Sequence, residues 1–285
     1  MFETTYRFLR FPGGKARAFT TSYDDGVGAD LRLMELMRQY GIRGTFNLNY
    51  HVVSDEDIDV AEKPTYRLSR RQLATYYQDF EIATHGATHP FYRDLPTASA
   101  VYVIVRDREG LEGMFGRIIR GHAFANGSYK RETLEALRLS GIIYARTVGS
   151  TGGFVLPEDF LEFHPTCHHR DPRLSSLLDT FLAPARYAVY PRLFSLWGHA
   201  YEFETDGNWS LIEEVFKRVG GREEVYYGGM EEIVSYCLAY RQLVFSMDSK
   251  RIHNPTATPI WIATDRTETE SICIAPGETV VMDER

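Results

Sequence analysis

The sequence predicts an α/β fold in which helices connect parallel strands, and a closed or partly closed barrel fits it best. Short β-rich runs alternate with amphipathic helical segments from residue 16 to residue 242, the order expected of repeated β–α units. The 285 residues and 44% hydrophobic content fit one barrel of roughly 250 residues, or two smaller domains. Polar residues also follow directly after several predicted strands, which is where such barrels carry their sites.

The first elements show the pattern most clearly. The run ARAFTTSY at 16–23 is typical of a strand, and the next helix, at 30–40, has Leu31, Met34 and Met37 on one face and ends at Gly41. By the same criteria, the remaining predicted elements are, in order, a strand at 43–49, a helix at 70–78, a strand at 80–84, a helix at 97–115, a strand at 118–125, a helix at 129–139, a strand at 142–148, a helix at 172–183, a strand at 193–198, a helix at 208–218, a strand at 224–227 and a helix at 230–242.

The last 30 residues have a different character. ATPIWIATD, ESICIA and PGETVVM are short β runs broken by Pro, Gly and Asp, and no helical pattern occurs among them. We therefore expect a barrel domain at 1–250 and a small β appendage at 251–285 that packs on the barrel and has no catalytic role.

Composition and charge exclude several classes of protein. A formal charge of −7 and a pI near 5.8 argue against a nucleic-acid or anionic-membrane surface. The N-terminal segment has no signal-peptide pattern, and no stretch approaches the roughly 20 apolar residues of a membrane helix. Three distant cysteines fit a reducing compartment. We expect a cytoplasmic protein, and its exposed Trp and Tyr could line either a sugar site or the interface of a homo-oligomer.

Polar residues fall at the C-terminal ends of four predicted strands. Asp24-Asp25-Gly26 follows the first strand, His85 follows FEIAT, Asn126-Gly127 follows the strand ending near Ala125, and His199 follows LFSLWG. Because the active sites of parallel barrels lie at this edge, we expect these residues to meet.

Asp24 and Asp25 allow two interpretations. Asp-Asp-Gly is good turn chemistry, and taken alone it favours a turn. On an extended segment, however, adjacent side chains point in opposite directions. One carboxylate could then ligate a metal while the other reaches the attacking water from another side.

His85 and His89 give the stronger signal. Histidines at i and i+4 lie on one face of a helical turn and can bind one cation. With a carboxylate they form a ligand set suited to a divalent metal that activates water. The alternative is a pair of structural histidines near a helix start, and the Asp-Asp pair at another strand end favours the metal.

These residues resemble the motifs of the polysaccharide deacetylases, the NodB-homology proteins of carbohydrate esterase family 4. SYDDG at 22–26 is similar to their T-F-D-D-G motif, and THGATH at 84–89 to their H-[ST]-x-x-H motif, with Gly86 in place of Ser or Thr. LWGH at 196–199 resembles their late L-x-H motif with one extra residue. The resemblance spans roughly residues 16–245.

The resemblance implies a fold and a set of roles. The fold is a distorted (β/α) barrel with fewer than eight strands. Asp24 is implied as general base, Asp25, His85 and His89 as ligands of one divalent metal, and His199 as general acid. We expect zinc, with cobalt, nickel, iron or manganese as alternatives.

The third motif of the family, R-x-P-[YF], is missing. The matching place reads FANGSY at 124–129, where a backbone N–H at Asn126 or Gly127 could bind an oxyanion and Tyr129 could form a wall. Arg146, at the end of the strand IIYAR, could replace the missing Arg as the partner of Asp24, or it could make a structural salt bridge.

A histidine-rich loop, FHPTCHHRD at 163–171, stands where the family has a Trp-containing motif. Its spacing matches no structural zinc pattern. We expect its residues, His168 among them, to line the cleft or pair with His199; a structural loop and a second metal site are the alternatives.

The expected function is metal-dependent hydrolysis of an amide C–N bond, with removal of an N-acetyl group from a small or oligomeric saccharide. An alternative is a hydrolase of cyclic amides or imides resembling allantoinase. A different class of protein would be a catalytically silent carbohydrate-binding module.

Overall fold

The computed structural model describes residues 6–185 and 188–282. Its helices and strands, numbered along the chain, are β1 Leu9–Arg10, β2 Arg17–Asp24, α1 Asp30–Tyr40, β3 Gly44–Leu48, α2 Arg70–Tyr76, β4 Glu81–Thr84, α3 Thr97–Phe115, β5 Gly121–Ala123, α4 Arg131–Leu139, β6 Tyr144–Arg146, β7 Cys167–His168, α5 Leu174–Leu182, β8 Arg192–Gly198, α6 Tyr201–Asp206, α7 Trp209–Val219, β9 Val225–Tyr227, α8 Met230–Tyr240, β10 Val244–Phe245, β11 Arg251–His253, β12 Ile260–Ala263, β13 Ser271–Ile274 and β14 Thr279–Val281.

The main sheet is parallel throughout, with the strand order β6-β5-β4-β3-β2-β8-β7. An isolated bridge between Arg146 and Phe163 places the segment before β7 beside β6, so the sheet curls into a distorted (β/α) barrel and the predicted fold class is confirmed. Within the described residues this path has seven strands, and β9 adds an eighth beside the N-terminal half of β2. Fewer than eight strands were expected. That is true of the seven strands in this order, but with β9 the described sheet has eight.

The central strand β2 is buried along its whole length. Burial on both faces is typical of parallel strands covered by helices, and the aromatic rings of Phe19 on β2 and Phe194 on β8 lie 5.6 Å apart in the core. The predicted apolar face of α1 packs here, with Met34 and Met37 buried and Leu31 partly buried. Gly41 ends this helix in the left-handed conformation, as its position indicated.

Two elements near the site were not predicted. The helix α6 has only six residues, too few for an apolar period to appear in the sequence, and β7 has two. The predicted strand at 118–125 is shorter than expected because its end, Ala125–Gly127, forms a 3-10 turn with Asn126 at a φ of 56°.

The C-terminal β runs form two small antiparallel sheets, β1-β12-β13 and β10-β11-β14. Two of these strands, β1 and β10, come from before residue 251, so the appendage is joined to both ends of the barrel sequence. The buried side chains of Leu9, Ile260 and Ile262 pack in one cluster with α8. The proposed boundary at residue 250 stays a prediction. None of the described helices is long and apolar enough to cross a bilayer.

Candidate active site

Polar side chains from consecutive strands meet at the C-terminal edge of the barrel. Asp24, Arg146 and His168 end β2, β6 and β7, Asn47 is the last residue but one of β3, and other polar residues follow β4, β5 and β8. The structure therefore brings together the polar residues that follow the predicted strands, at the edge where parallel barrels carry their sites.

Asp25, His85 and His89 are brought together. One donor atom of each lies within 4.8 Å of the others. The distance from Asp25 Oδ1 to His89 Nε2 is 3.6 Å, and that from Asp25 Oδ1 to His85 Nε2 is 3.9 Å. Two imidazoles and a carboxylate are a ligand set for a divalent transition metal, so the chemistry of these donors fits the expected ion.

The helical turn expected for the two histidines is wrong. Residues 85–89 form a loop in which the His89 N–H donates to Gly86 O at 2.9 Å. Gly86 has a φ of 79° and His89 a φ of 52°, and this left-handed backbone, not a helix, turns both rings to one side. Asp25 has a φ of 87°, so the chain also departs from the extended geometry assumed for the two aspartates.

Three residues of the site therefore have strained backbones. Asp25, His89 and Asn126 are among six non-glycine residues with positive φ in the described part of the chain. Such conformations cost on the order of 1–3 kcal/mol each and persist where surrounding contacts hold them. Their concentration at one place supports a functional constraint on this edge.

The orientation of His85 is fixed by its neighbours. Its Nδ1 lies 2.9 Å from Ala123 O, which makes Nδ1 the protonated nitrogen and leaves the Nε2 lone pair facing the carboxylates. Its backbone N–H donates to Asp107 Oδ2 at 2.9 Å, and the other oxygen of Asp107 accepts from Tyr50 N–H at 2.7 Å. Burial lowers the pKa of His85 to about 4, so the ring is neutral and can act as a ligand.

Asp24 is buried and paired. Arg146 Nη2 lies 2.5 Å from each carboxylate oxygen, and Asn47 Nδ2 donates to Oδ1 at 2.7 Å. Burial alone would raise the pKa of Asp24, but the positive charge of Arg146, with His85 and His199, holds it well below its usual range. Asp24 is therefore ionised, and its Oδ2 lies 3.9 Å from His85 Nε2.

His199 stands between two carboxylates. Its Nε2 is 3.8 Å from Asp24 Oδ2, and its Nδ1 is 3.3 Å from Glu202 Oε2. Burial alone would lower the pKa of His199, but the hydrogen bond with Glu202 and the nearby negative charges outweigh it and raise the pKa. An imidazole held in this way can carry a proton near neutral pH and release it.

The proposed oxyanion residues divide into two groups. The Asn126 side chain faces His89, with Nδ2 3.4 Å from Nδ1, so Asn126 lies at the site. The Gly127 N–H donates to Phe124 O at 3.0 Å, which leaves it unavailable as an oxyanion donor. Tyr129 stacks on Phe124 and donates to Glu162 at 3.1 Å, so its hydroxyl is engaged away from the carboxylates. The structure thus argues against Gly127 as an oxyanion donor, and the role of Tyr129 as a wall stays a prediction.

His168 lies close to His199, with ring centroids 6.3 Å apart, and its Nε2 is 3.1 Å from Glu202 Oε2. The neighbouring His169 also faces Glu202. The loop could have lined the cleft beside His199, bound a second metal or been purely structural. The positions of His168 and His169 favour the first two interpretations, because both residues lie beside His199.

Sequence reasoning missed several residues of the site. Asn47 is the last residue but one of β3, so a search of the strand ends could have found it. Glu202 comes three residues after His199, on the unpredicted helix α6. Arg67, whose Nη2 is 2.5 Å from Asp25 Oδ1, lies in the polar connection after β3, and no pattern there marks it.

A family model described as polysaccharide deacetylase matches residues 12–145, just under half of the chain. This segment contains β2 to β5 and most of β6, with Asp24 and the three expected metal ligands Asp25, His85 and His89. No curated protein matches the chain significantly.

Solved structures match over most of the chain at low identity. A putative polysaccharide deacetylase from Mycobacterium smegmatis is 16% identical with a TM-score of 0.58, and the match covers 84% of this chain and 96% of that one. The Puue allantoinase is 11% identical with a TM-score of 0.57, covering 79% and 91%. A family 4 carbohydrate esterase from Streptomyces lividans, in complex with acetate, is 13% identical with a TM-score of 0.50, covering 76% and 94%.

These likenesses establish the fold, and with the family match they confirm the resemblance first seen in the motifs. The polysaccharide deacetylase model matches the same segment that carries the NodB-type motifs, so residues 12–145 are similar to that family.

Proposed function

We propose that this protein is a metal-dependent hydrolase of amide C–N bonds that removes the acetyl group from an N-acetylated saccharide. One observation carries the proposal: the donor atoms of Asp25, His85 and His89 converge, and Asp24 Oδ2, which is 3.9 Å from His85 Nε2, also lies 3.8 Å from His199 Nε2. A cation-binding set, an ionised carboxylate and a protonated imidazole are the three components that hydrolysis of an amide requires.

Asp25 Oδ1, His85 Nε2 and His89 Nε2 would hold one divalent ion, with zinc expected first and cobalt, nickel, iron or manganese as alternatives. When bound, such an ion supplies Lewis acidity and a more acidic water molecule. The protein's part is to hold the three donors. Arg67 contacts Asp25 Oδ1 and fixes the position of that carboxylate. The Ala123 carbonyl accepts from His85 Nδ1, a contact that orients the ring and makes Nε2 a better ligand.

Asp24 would act as general base. Arg146 and Asn47 hold its carboxylate from the barrel interior, so the carboxylate keeps a single orientation toward the histidines. His199 would donate a proton to the departing nitrogen, without which an amine is a poor leaving group. Glu202 would hold the Nδ1 side of His199, so that Nε2 faces the reacting bond. An N–H donor at Asn126 would support the developing oxyanion.

The proposed substrate is based on the similarity to the polysaccharide deacetylase model and not on the shape of a pocket. The polysaccharide deacetylase match favours an N-acetyl group on a sugar. The likeness to an allantoinase structure, together with the loss of the R-x-P motif at 124–129, favours a cyclic amide or imide as the second candidate. Both substrates undergo attack of water on an amide carbonyl, so one set of residues serves either reaction.

The test measures amide hydrolysis by metal-reconstituted protein on a panel of N-acetylated sugars and small cyclic amides, with bound metal quantified in parallel. We expect Asp24→Asn to retain metal and lose turnover, and Asp25→Asn to lose both. The matched control is Asp79→Asn, because Asp79 is exposed and, among the residues that the structure describes, forms an ion pair with the surface residue Arg38 alone.

Three outcomes decide between the alternatives. Turnover of the sugars alone supports the deacetylase, and turnover of cyclic amides alone supports the second candidate. A wild-type protein that binds no metal, or an Asp24→Asn variant as active as wild type, would contradict the mechanism and favour a silent carbohydrate-binding module.

A further inference from the structure

A second group of potential metal ligands lies beside His199. His168 and His169 come from the end of β7, and Glu202 comes from α6 after β8. One donor atom of each lies within 4.8 Å of the others. His168 Nε2 is 3.1 Å and His169 Nε2 is 3.2 Å from the same atom, Glu202 Oε2. None of the three belongs to the Asp25, His85 and His89 set.

His169 has an unsatisfied nitrogen that points into this group. The residue is 1% exposed, and although its Nε2 lies 3.2 Å from Glu202 Oε2, it makes no hydrogen bond within the described part of the chain. Its Nδ1 lies 3.4 Å from the Tyr23 hydroxyl, so a proton on Nδ1 would leave the Nε2 lone pair facing Glu202. Buried nitrogens without a partner are rare and need an explanation. A bound cation supplies one.

The separations also suit a common ion. In a tetrahedral zinc site with bonds of about 2.0–2.1 Å, neighbouring ligand atoms are about 3.3 Å apart. The two nitrogen-to-oxygen distances here are close to that value. Modest movements of the side chains would bring all three donors to bonding distance of one central ion.

The surrounding charges permit a cation. Arg170 makes two contacts of 2.7 Å with Asp206, so its charge already has a carboxylate partner. It also binds Glu202, but through Oε1 at 2.5 Å, which leaves Oε2 to the histidines. Oε2 also accepts the His199 backbone N–H at 3.1 Å and lies 3.3 Å from His199 Nδ1, so an ion bound through Oε2 would take the place of the Nδ1 contact and leave the backbone one.

A contact of His168 must also be given up. The Arg170 backbone N–H donates to His168 Nδ1 at 3.1 Å. Ligation through Nε2 requires the proton on Nδ1, so the two N–H groups would repel each other and the Arg170 amide would hydrogen-bond to water instead. The attraction of a divalent ion for one carboxylate and two imidazoles outweighs the loss of these two hydrogen bonds.

We propose that His168, His169 and Glu202 form a second site for a divalent transition-metal ion. Two imidazoles and one carboxylate suit zinc or cobalt. An ion there would tie the end of β7 to α6, the two elements that flank His199. This goes beyond the proposed function, which needs only the ion held by Asp25, His85 and His89.

The experiment counts bound ions on the full chain. Protein stripped with a chelator is titrated with Zn²⁺ and desalted, its metal content is measured by mass spectrometry, and the absorption spectrum is recorded with Co²⁺. The variants are Glu202→Gln, His169→Gln and the double variant Asp25→Asn/His89→Gln. His164→Gln is the matched control, because His164 belongs to the same loop but contacts Thr147 instead of Glu202. Circular dichroism and Tm check that each variant folds.

We expect two equivalents in wild type and in His164→Gln, and one in each of the other variants. The ion retained by Asp25→Asn/His89→Gln should raise that variant's Tm. A wild type with one equivalent that disappears in Asp25→Asn/His89→Gln overturns the second site and leaves the proposed function intact. One equivalent retained in Asp25→Asn/His89→Gln but lost in Glu202→Gln supports the second site and overturns the proposed catalytic ligands. If Glu202→Gln fails to fold, His169→Gln decides.

Discussion

Arg146 Nη2 lies 2.5 Å from both carboxylate oxygens of Asp24, and both side chains are almost completely buried. The Arg146 guanidinium also lies 4.5 Å from the centre of the Trp197 ring. A buried carboxylate of this kind stays ionised only while its partner is present, because removal of one member of a buried pair leaves an unpaired charge.

We expect Arg146→Met to lower both activity and stability. With the guanidinium gone, burial dominates and the pKa of Asp24 rises, so the acid limb of the pH profile of kcat/KM should move to higher pH. The loss of stability should be about 3–5 kcal/mol in urea unfolding. Because the pKa of Asp24 is lower in the folded than in the unfolded protein, the pair stabilises the fold above pH about 4 and is lost as pH falls.

Arg146→Lys separates charge from geometry. It keeps the positive charge but lacks the planar group whose Nε and Nη1 bind Ser22 Oγ and the Thr147 carbonyl while Nη2 contacts Asp24. It should therefore show a smaller shift of the acid limb and an intermediate stability. A pH profile of Arg146→Met identical to that of wild type would show that Asp24 is not the titrating base.

Glu202→Gln should lower the pKa of His199. Burial alone already lowers it, and the hydrogen bond and charge of Glu202 are among the effects that raise it. A general acid with a lower pKa is protonated over a narrower range of pH, so the basic limb of the pH profile of kcat/KM should move to lower pH. We also expect kcat to fall by about 10²-fold. The same profile is measured for Glu204→Gln, a control on the same helix. Equal basic limbs in wild type and Glu202→Gln would remove Glu202 from the support of His199.

The edge of the sheet where these polar residues meet could be predicted, because it depends only on where each strand ends in the sequence. Asp24, Arg146 and His199 each end or follow a run of β-rich residues, and parallel strands bring such positions together. The pairing of Arg146 with Asp24 could be suggested on the same ground, since β2 and β6 end at the same edge.

The conformation of the 85–89 loop was not predictable from spacing. A separation of four residues suggests a helical turn, but the loop depends on left-handed backbone at Gly86 and His89. Asp107, which binds the His85 amide, lies in the middle of α3, 22 residues away along the chain. That contact depends on how α3 packs against β4, which no local pattern records.

Gly86→Ala should damage the site without touching a proposed ligand. Gly86 has a φ of 79°, and an added Cβ would lie 2.7 Å from Pro90 Cδ and 2.7 Å from the Tyr92 hydroxyl. The backbone between His85 and His89 must then shift, so we expect metal affinity to fall at least tenfold and stability to fall by about 1–3 kcal/mol. Isothermal titration with Zn²⁺ and urea unfolding measure the two effects.

Gly113→Ala is the control for that substitution. Gly113 lies in α3, and nothing stands within 4 Å of its added Cβ. Alanine favours helix over glycine by up to about 1 kcal/mol, so this variant should be as stable as wild type or more stable. Unchanged metal affinity in Gly86→Ala would mean that the left-handed turn is not needed to align the histidines.

Asp30, the first residue of α1, is buried in the core. Burial raises the pKa of Asp30 to about 8, although Tyr77 donates to its Oδ2 at 2.5 Å and the Val27 N–H donates at 3.1 Å. Because the folded-state pKa is above the unfolded value of about 3.9, the folded protein holds the proton more tightly. The contribution to stability is therefore complete below pH about 4 and is lost as pH rises through 8.

Asp30→Asn isolates this contribution because the amide does not titrate. We expect the free energy of unfolding of wild type to decrease between pH 5 and pH 9 by on the order of 1–3 kcal/mol more than that of Asp30→Asn. Asp107 and Glu81, whose pKa values burial raises to about 7, titrate in the same window but are present in both proteins, so the difference belongs to Asp30. Parallel pH curves for the two proteins would mean that Tyr77, Val27 and the N-terminus of α1 keep Asp30 ionised despite its burial.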